Sequence, residues 1–488
     1  MEIVFDKECR DKLISGINKL AKAVGSTIGP KGKTCIIYDE NTGKYRVTKD
    51  GVSVARSINF KNPIENIGAQ MFKEVAELTL KLAGDGTTTA TVLAAALINN
   101  LKDFEISEVN KALDEIIPKV LEQLKLNARI LDRKDIKYVA TISANNDVQI
   151  GDIIQQAFNF SDIVKLEDAN DFKDSVECVS GMDLKVSYFS KHFITNQNKG
   201  ICEFNEPNVL ILDGKLDKLE NFREPLELCS NGESLLIIVE HIHEQALRKL
   251  ESLVLSNDLK ICVIKSPGFG PHRKDLLRDL SDFTGATVIT DLNKSYNKNV
   301  LGKLSSCVIS KYNSILTKHD DINIDELIKS LSDLRKSKDL EQHDKDLLDK
   351  RVEGLTGKVS IIKVGGSSDI EMLERKDRYD DAVLAVACAL EEGIVQGAGL
   401  ALYHSIQDVY NLKYDEKTAY HFVMKSLLSP YDTICKNGTC IPVMNDMFKQ
   451  NIIDPLKVTR CALESAVSIA RTILSTDTIV LNERQWME

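Results

Sequence analysis

Gly84-Asp85-Gly86-Thr87-Thr88-Thr89 is the stretch on which the reading of this chain turns. Before it, Ile64, Ile67, Met71, Val75, Leu78 and Leu82 recur at steps of three and four, which predicts an amphipathic helix beginning just after Pro63. After it, the threonines open a second helix whose body, Ala90 to Ile98, is apolar nearly all round and is expected inside a helical layer. A glycine-broken turn at a helix N-terminus offers backbone N–H groups and the positive end of the helix dipole, a combination that favours phosphate. Asp85 adds a carboxylate able to hold Mg²⁺ bridging phosphate oxygens, since that ion takes one or two carboxylates and completes its shell with substrate oxygens. The plainer alternative makes Asp85 only a helix cap.

Upstream, Leu13, Ile14, Ile17, Leu20 and Val24 fall at helical spacing and Gly25 to Gly32 ends that helix. Two β-rich runs, Thr34 to Tyr38 and Tyr45 to Thr48, flank a turn containing Asn41 and Gly43 and read as a hairpin. Thr27-Ile28-Gly29-Pro30-Lys31-Gly32-Lys33-Thr34 nearly matches the Walker pattern, but Thr27 stands where its first glycine belongs. Its context is also reversed, because a P-loop follows a strand and opens a helix. The loop's backbone amides can still line a phosphate pocket. Asp50, in Thr48-Lys49-Asp50-Gly51, and Asp381, in Tyr379-Asp380-Asp381-Ala382, are candidate carboxylates for orienting and deprotonating a water, although each alone reads equally as a turn or cap residue.

Between about Ile163 and Gly302 the texture changes to short β-rich runs, Val209 to Leu212, Leu235 to Val239 and Ile261 to Ile264, alternating with helical patterns. That is an α/β texture. Asp325 to Leu355 is charged and leucine-spaced, as in exposed helices packed on one face. A strand-like run, Val359 to Val364, precedes helical patterns that persist to about Leu474. The two ends therefore resemble each other more than either resembles the middle, as an insertion into a helical domain would produce.

A length of 488 residues exceeds what one hydrophobic core supports, so several domains are expected. With 43% hydrophobic and 28% charged residues the chain has a soluble globular composition. Its net charge of -10 opposes phosphate neutralisation, which argues against nucleic acid as a partner. No run approaches membrane-spanning length and the N-terminus has no secretory pattern, so a cytoplasmic protein is expected. The 11 cysteines include no C-x-x-C pair and suit reduced thiols. Cys435 and Cys440 are closest, and without neighbouring histidines they read as ordinary thiols rather than as a metal site.

The motifs GSTIGPKGKT, VTKDGVSVAR, ENIGAQMFKEVA, AGDGTTTATVLA, ATISANND, KSPGFGPHRK, EEGIVQGAGLAL and DPLKVTRCALESA resemble group I (GroEL-type) chaperonins in sequence and order, from about Asp11 to Val480. The resemblance implies a multidomain α and α/β chaperonin fold. A mostly helical equatorial domain would comprise 1–126 and 392–488, a small intermediate hinge domain 127–180 and 359–391, and an α/β apical domain 181–358. It implies an ATPase that assembles with copies of itself into a ring, heptameric in the family, and helps fold non-native polypeptides, with ATP, Mg²⁺ and K⁺ as cofactors.

Carried over by position, Thr27, Ile28, Gly29 and Pro30 resemble the loop around the nucleotide, Asp85 the Mg²⁺ ligand, and Gly86, Thr87, Thr88 and Thr89 the phosphate contacts. Backbone oxygens of Thr27 and Lys49, with Thr88, resemble the K⁺ site. Asp50 and Asp381 resemble the pair that positions the attacking water, and Ile142, Ser143, Gly399 and Asp454 match positions near base and ribose. Tyr188, Phe193, Phe222 and Leu247 align with the apolar groove that binds clients and a co-chaperonin; an exposed apolar strip there would be an interaction site, whereas the plainer alternative makes these ordinary core residues. Other groove positions, His192, Pro225, Glu251 and Ser252, are polar or altered, which argues for a less apolar groove and weakens the case for a co-chaperonin.

Three departures carry consequences. The family's three consecutive glycines become Gly397-Ala398-Gly399, and the segment between Gly438 and Asp454 is shortened. Cys440 takes the place of an acidic residue that pairs across two rings in the family, so single rings or a labile double ring are expected. The rival to a folding ATPase is a passive holdase ring with a decayed nucleotide site.

Overall fold

The computed structural model describes residues 2–39, 43–169, 172–197, 199–229, 232–257, 259–268, 270–335, 342–410, 415 and 417–481. The chain divides into two compact units, one of them built from both chain ends: Met1–Asn159, Leu166–Val176 and Ile362–Glu488. The stretches expected to form the hinge fall mostly with the ends in this division.

The first unit has a helical core. Helix Thr87–Leu101 lies at its centre with Ala90, Leu93, Ala94, Leu97, Ile98 and Leu101 buried, as its all-round apolar pattern predicts. Helices Asp6–Gly25, Pro63–Ala83, Ala419–Leu427 and Leu456–Ser475 pack around it. Pro63–Ala83 starts where the sequence indicates: the Asn62 side chain accepts from the amides of Ile64 and Glu65, and Pro63 occupies the first turn, where its missing N–H costs nothing. Strands Cys35–Asp39 and Lys44–Thr48 form the predicted antiparallel hairpin, pairing Ile36 with Val47 and Tyr38 with Tyr45. The turn residue Asn41 lies outside the described residues.

The second unit, Phe160–Lys165 and Glu177–Ile361, is the α/β part. Strands Asn208–Leu216, Leu235–Ile242 and Ile261–Lys265 run parallel, with Ile211 beside Ile238 and Ile238 beside Ile264. They contain the three β-rich runs seen in the sequence, and these residues are buried, as parallel strands covered on both faces require. Strand Gly302–Ile309 joins this sheet antiparallel beside Asn208–Leu216 and continues to Ser314–Lys318. Helices Asp325–Arg335 and Gln342–Leu355 account for the charged leucine-spaced region. Arg351 anchors the latter through two 2.7 Å bonds to the buried carboxylate of Asp279 on helix Pro271–Thr284.

Of the two alternatives for the groove positions, Phe193 and Phe222 take the core one: they are only 1% and 2% exposed and belong to the core of this unit, which corrects their assignment to an exposed client groove. Tyr188 and Leu247 are half-buried and pack against that core. Among the described residues no helix is long and apolar enough to cross a membrane.

Because Phe193 fills a core position, Phe193→Ala should cost about 3–5 kcal/mol through lost transfer energy and a residual cavity. Urea unfolding of the full chain, followed by circular dichroism, measures this; a loss below ~1 kcal/mol would place the ring outside the core.

Candidate functional site

The site is assembled in the first unit from the turn between its two central helices. Helix Pro63–Ala83 ends at Gly84, whose left-handed φ of 69° lets its N–H close on the Leu80 carbonyl at 2.8 Å. Gly86, at φ 86°, forms the N-cap of the next helix, and no side chain caps that end. The cap reading of Asp85 therefore fails. One of its oxygens takes the Gly86 N–H, and the other accepts from the Ser143 hydroxyl at 2.7 Å. Ser143, one of the positions matched to the surroundings of base and ribose, thus lies against this carboxylate. Thr87 is buried, while Thr88 and Thr89 are half-buried at the helix mouth.

Asp50 reaches the same place from the hairpin. Its carboxylate caps helix Gly51–Ser57, accepting from Val52 at 3.0 Å and Ser53 at 2.8 Å. Two acceptor oxygens leave lone pairs beyond those two bonds. A β-carbon at Gly51 would lie 2.2 Å from the Thr88 hydroxyl, so only glycine lets the Asp50 junction sit on the threonine turn. Lys49 is exposed.

Asp381 comes from helix Asp369–Glu392. The helix docks closely on the turn: a β-carbon at Gly84 would lie 2.4 Å from Leu384 Cβ, and the Cys388 thiol donates to the Ala83 carbonyl at 3.3 Å. Burial and the charges of Asp85 and Asp50 push the Asp381 carboxyl well above the usual range. Burial likewise raises Asp85, against the Ser143 and Gly86 hydrogen bonds that lower it, with Asp50 raising it further. Asp454 sits on strand Ile453–Pro455, opposite Val395 in strand Ile394–Gln396, and burial with the Asp85 charge lifts it to about 7.

Several carboxylates thus face one another with mutual repulsion. Among the described residues no group of three or more histidine, cysteine or acidic side chains forms a preformed metal cage. Such a donor set fits Mg²⁺ held by one carboxylate with substrate oxygens and water, and does not suit an all-protein site.

The loop after Asp6–Gly25 runs directly into strand Cys35–Asp39, which confirms the reversed context and removes the P-loop reading. Thr27 is buried with its hydroxyl on the Val24 carbonyl at 2.7 Å, Ile28 is half-buried, and Gly29 and Pro30 are exposed. Asn437, which sequence reasoning did not select for this role, braces the loop by donating to the carbonyls of Gly25 and Ile28 at 3.1 and 3.0 Å. Leu384 and Cys388 were also missed, since nothing in their own segment marks a docking contact. Ala398 adopts a left-handed φ of 59°, a conformation that costs a non-glycine residue about 1–2 kcal/mol, and next to it a β-carbon at Gly399 would lie 2.7 Å from the Tyr431 backbone nitrogen. Ile142 is half-buried one residue before Ser143.

A proton binds Asp454 in the folded chain up to about pH 7, but in the unfolded chain only to about pH 4. Folding therefore takes up a proton across that window, and stability of the metal- and nucleotide-free protein should fall as pH rises through it. Thermal unfolding at stepped pH reads the slope, which Asp454→Asn should flatten; equal slopes in both proteins would show that Asp454 ionises as it does when unfolded.

Residues 20–443 match the TCP-1/cpn60 chaperonin family. The chain is 34% identical to the chaperonin GroEL of Orientia tsutsugamushi (strain Ikeda) over 528 aligned positions, covering 99% of this chain and 95% of the relative, and equally to that of Orientia tsutsugamushi. Among solved structures, the chaperonin gp146 from the bacteriophage EL 2 (Pseudomonas aeruginosa), crystallised in the presence of ATP-BeFx, superposes with a TM-score of 0.68 at 21% identity, covering 99% of this chain and all of that one. A second crystal form gives 0.64. The chain therefore belongs to the TCP-1/cpn60 chaperonin family and is a homologue of GroEL.

Proposed function

We propose that this chain is an ATP-hydrolysing ring chaperonin that binds non-native polypeptides. The observation that carries the reading is the convergence of Asp50, Asp85 and Asp381 on an uncapped helix N-terminus. An anion at that N-terminus meets the helix dipole and the backbone amides of Thr87 to Thr89, which hold phosphates in this account. Mg²⁺, when bound to Asp85, would neutralise charge developing on the phosphate oxygens. Asp50, held rigid by its own cap bonds, orients a water against the terminal phosphate, and Asp381 accepts the proton as the water oxygen attacks and the bond to the leaving phosphate breaks. Thr27, Lys49 and Thr88 are assigned to K⁺, and Ile142, Ser143, Gly399 and Asp454 to the base and ribose. The segments 127–180 and 359–391 are assigned to a hinge that carries Asp381.

Self-assembly has support in the hairpin. Ile36, Tyr38, Tyr45 and Val47 are paired across its strands, and Ile36 and Tyr45 are each 72% exposed. A two-stranded sheet with an uncovered apolar face is marginal in water, and a neighbouring subunit would cover it. For clients, the burial of Phe193 and Phe222 moves attention to helix Glu244–Asn257. There Leu247 and Val254 are half-buried and Leu255 is 66% exposed, on a strip interrupted by Glu251.

Asp381→Ala should keep ATP binding but slow turnover by roughly 10²-fold or more, whereas Asp85→Ala should weaken Mg-ATP binding itself. Calorimetry alongside phosphate release separates the two; unchanged turnover in the first variant, or unchanged affinity in the second, removes the assigned role. Leu255→Glu should reduce protection of an aggregating client with ATPase activity intact, because a charge opposes burial of client side chains. Light scattering decides it, and full protection would locate the client surface elsewhere.

A further inference from the structure

Cys435 and Cys440 lie five positions apart, and the fold brings them into contact. Cys435 is near the end of helix Ser429–Lys436. The chain then reverses through Asn437 and Gly438, the latter at φ 96°, with Gly438 N–H donating to the Cys435 carbonyl at 2.9 Å and Thr439 N–H to that of Ile434 at 3.2 Å. This turn sets the two sulfurs 2.8 Å apart. The Tyr431 hydroxyl, 3.9 Å from Cys440 Sγ, donates to the Ile441 carbonyl at 2.6 Å and holds the returning chain in place. Cys440 is exposed and Cys435 half-buried, whereas Cys202, Cys262 and Cys307 are enclosed in the other unit's core.

We propose that Cys435 and Cys440 are a modification site: they form a reversible intramolecular disulfide by exchange with a small disulfide of the glutathione class. The Cys440 thiolate attacks one sulfur of that reagent, the reagent's S–S bond breaks, and one thiol departs with a proton. Cys435 then attacks the Cys440 sulfur in the mixed disulfide, forms the internal S–S bond and expels the second thiol. Two protein thiols are oxidised and one small disulfide is reduced. Closing from contact to a bond of about 2.0 Å needs a sulfur displacement of under ~1 Å, which side-chain rotation supplies without moving the turn.

The cross-link would act beyond its own turn. Asn437, enclosed by it, donates to the Gly25 and Ile28 carbonyls, and the Gly438 carbonyl accepts from Lys31 Nζ at 2.9 Å. Fixing these groups braces the 25–32 loop. The chemistry stands on geometry alone and does not depend on the nucleotide reading.

The test is incubation of the reduced, native full chain with oxidised glutathione, followed by alkylation and peptide mapping by mass spectrometry. The linked Cys435–Cys440 peptide should form before the exposed Cys178 is modified, dithiothreitol should reverse it, and Cys435→Ser should instead retain a glutathione adduct on Cys440. Amide hydrogen exchange across residues 27–33 should slow in the oxidised wild type and stay unchanged in that variant. A persistent adduct on wild-type Cys440, or two alkylatable thiols after Cys178 is fully modified, would overturn the disulfide. Unchanged exchange in the cross-linked protein would overturn its action on the loop.

Discussion

The burial of Asp85 and Asp381 beside each other and beside the charge of Asp50 is the constraint on which the arrangement depends. Taking several carboxylates out of water beside one another costs free energy, and the protein absorbs that cost by holding protons more tightly than exposed acids do. A fold tolerates such a cluster when a ligand removes the cost. Here the uncapped helix end offers positive potential a short distance away, so a phosphate with its counter-cation would resolve both imbalances together.

The helical layer explains how the cluster is maintained. The Thr87–Leu101 helix is gripped by neighbours on every side and cannot tilt to separate its N-terminus from Asp50. The hairpin delivers Asp50 already immobilised by its own cap, and glycine at position 51 allows the contact with Thr88. The helix bearing Asp381 reaches the turn because Gly84 has no side chain to hold Leu384 away. Further along that helix, Glu392 pairs with Arg460 and Glu391 with Lys457 at 2.7 Å, tying it to the Leu456–Ser475 helix. Of these the Arg460 pair is part-buried, and two pairs repeated along one element define a docking position better than an isolated surface pair does.

Much of this was legible in the sequence for local reasons. Three- and four-residue spacing identifies the helices on either side of Gly84, and glycine with threonine at their junction identifies the turn. The β-rich runs of the second unit read correctly because buried parallel strands are continuously apolar. What escaped involves partners distant in sequence. Ser143 lies 58 positions from Asp85 and Asn437 409 positions from Ile28, and neither segment carries a mark of the pairing. Phe193 and Phe222 stayed open between groove and core for another reason: an aromatic residue type is equally suited to both, and only burial distinguishes them. At Ala398 the sequence marks the place, an alanine among glycines, but not the left-handed backbone, which its surroundings impose.

The central claim is that the acidic turn completes itself with a nucleotide and a divalent cation and then hydrolyses the nucleotide. Phosphate release by the purified wild-type chain, with ATP at fixed K⁺ and Mg²⁺ titrated from chelated to millimolar, tests it most directly. The account predicts steady turnover that rises with Mg²⁺ to saturation and falls to background under chelation. ATP bound with the same affinity whether or not Mg²⁺ is present, and never hydrolysed, would contradict it and leave a passive binding ring.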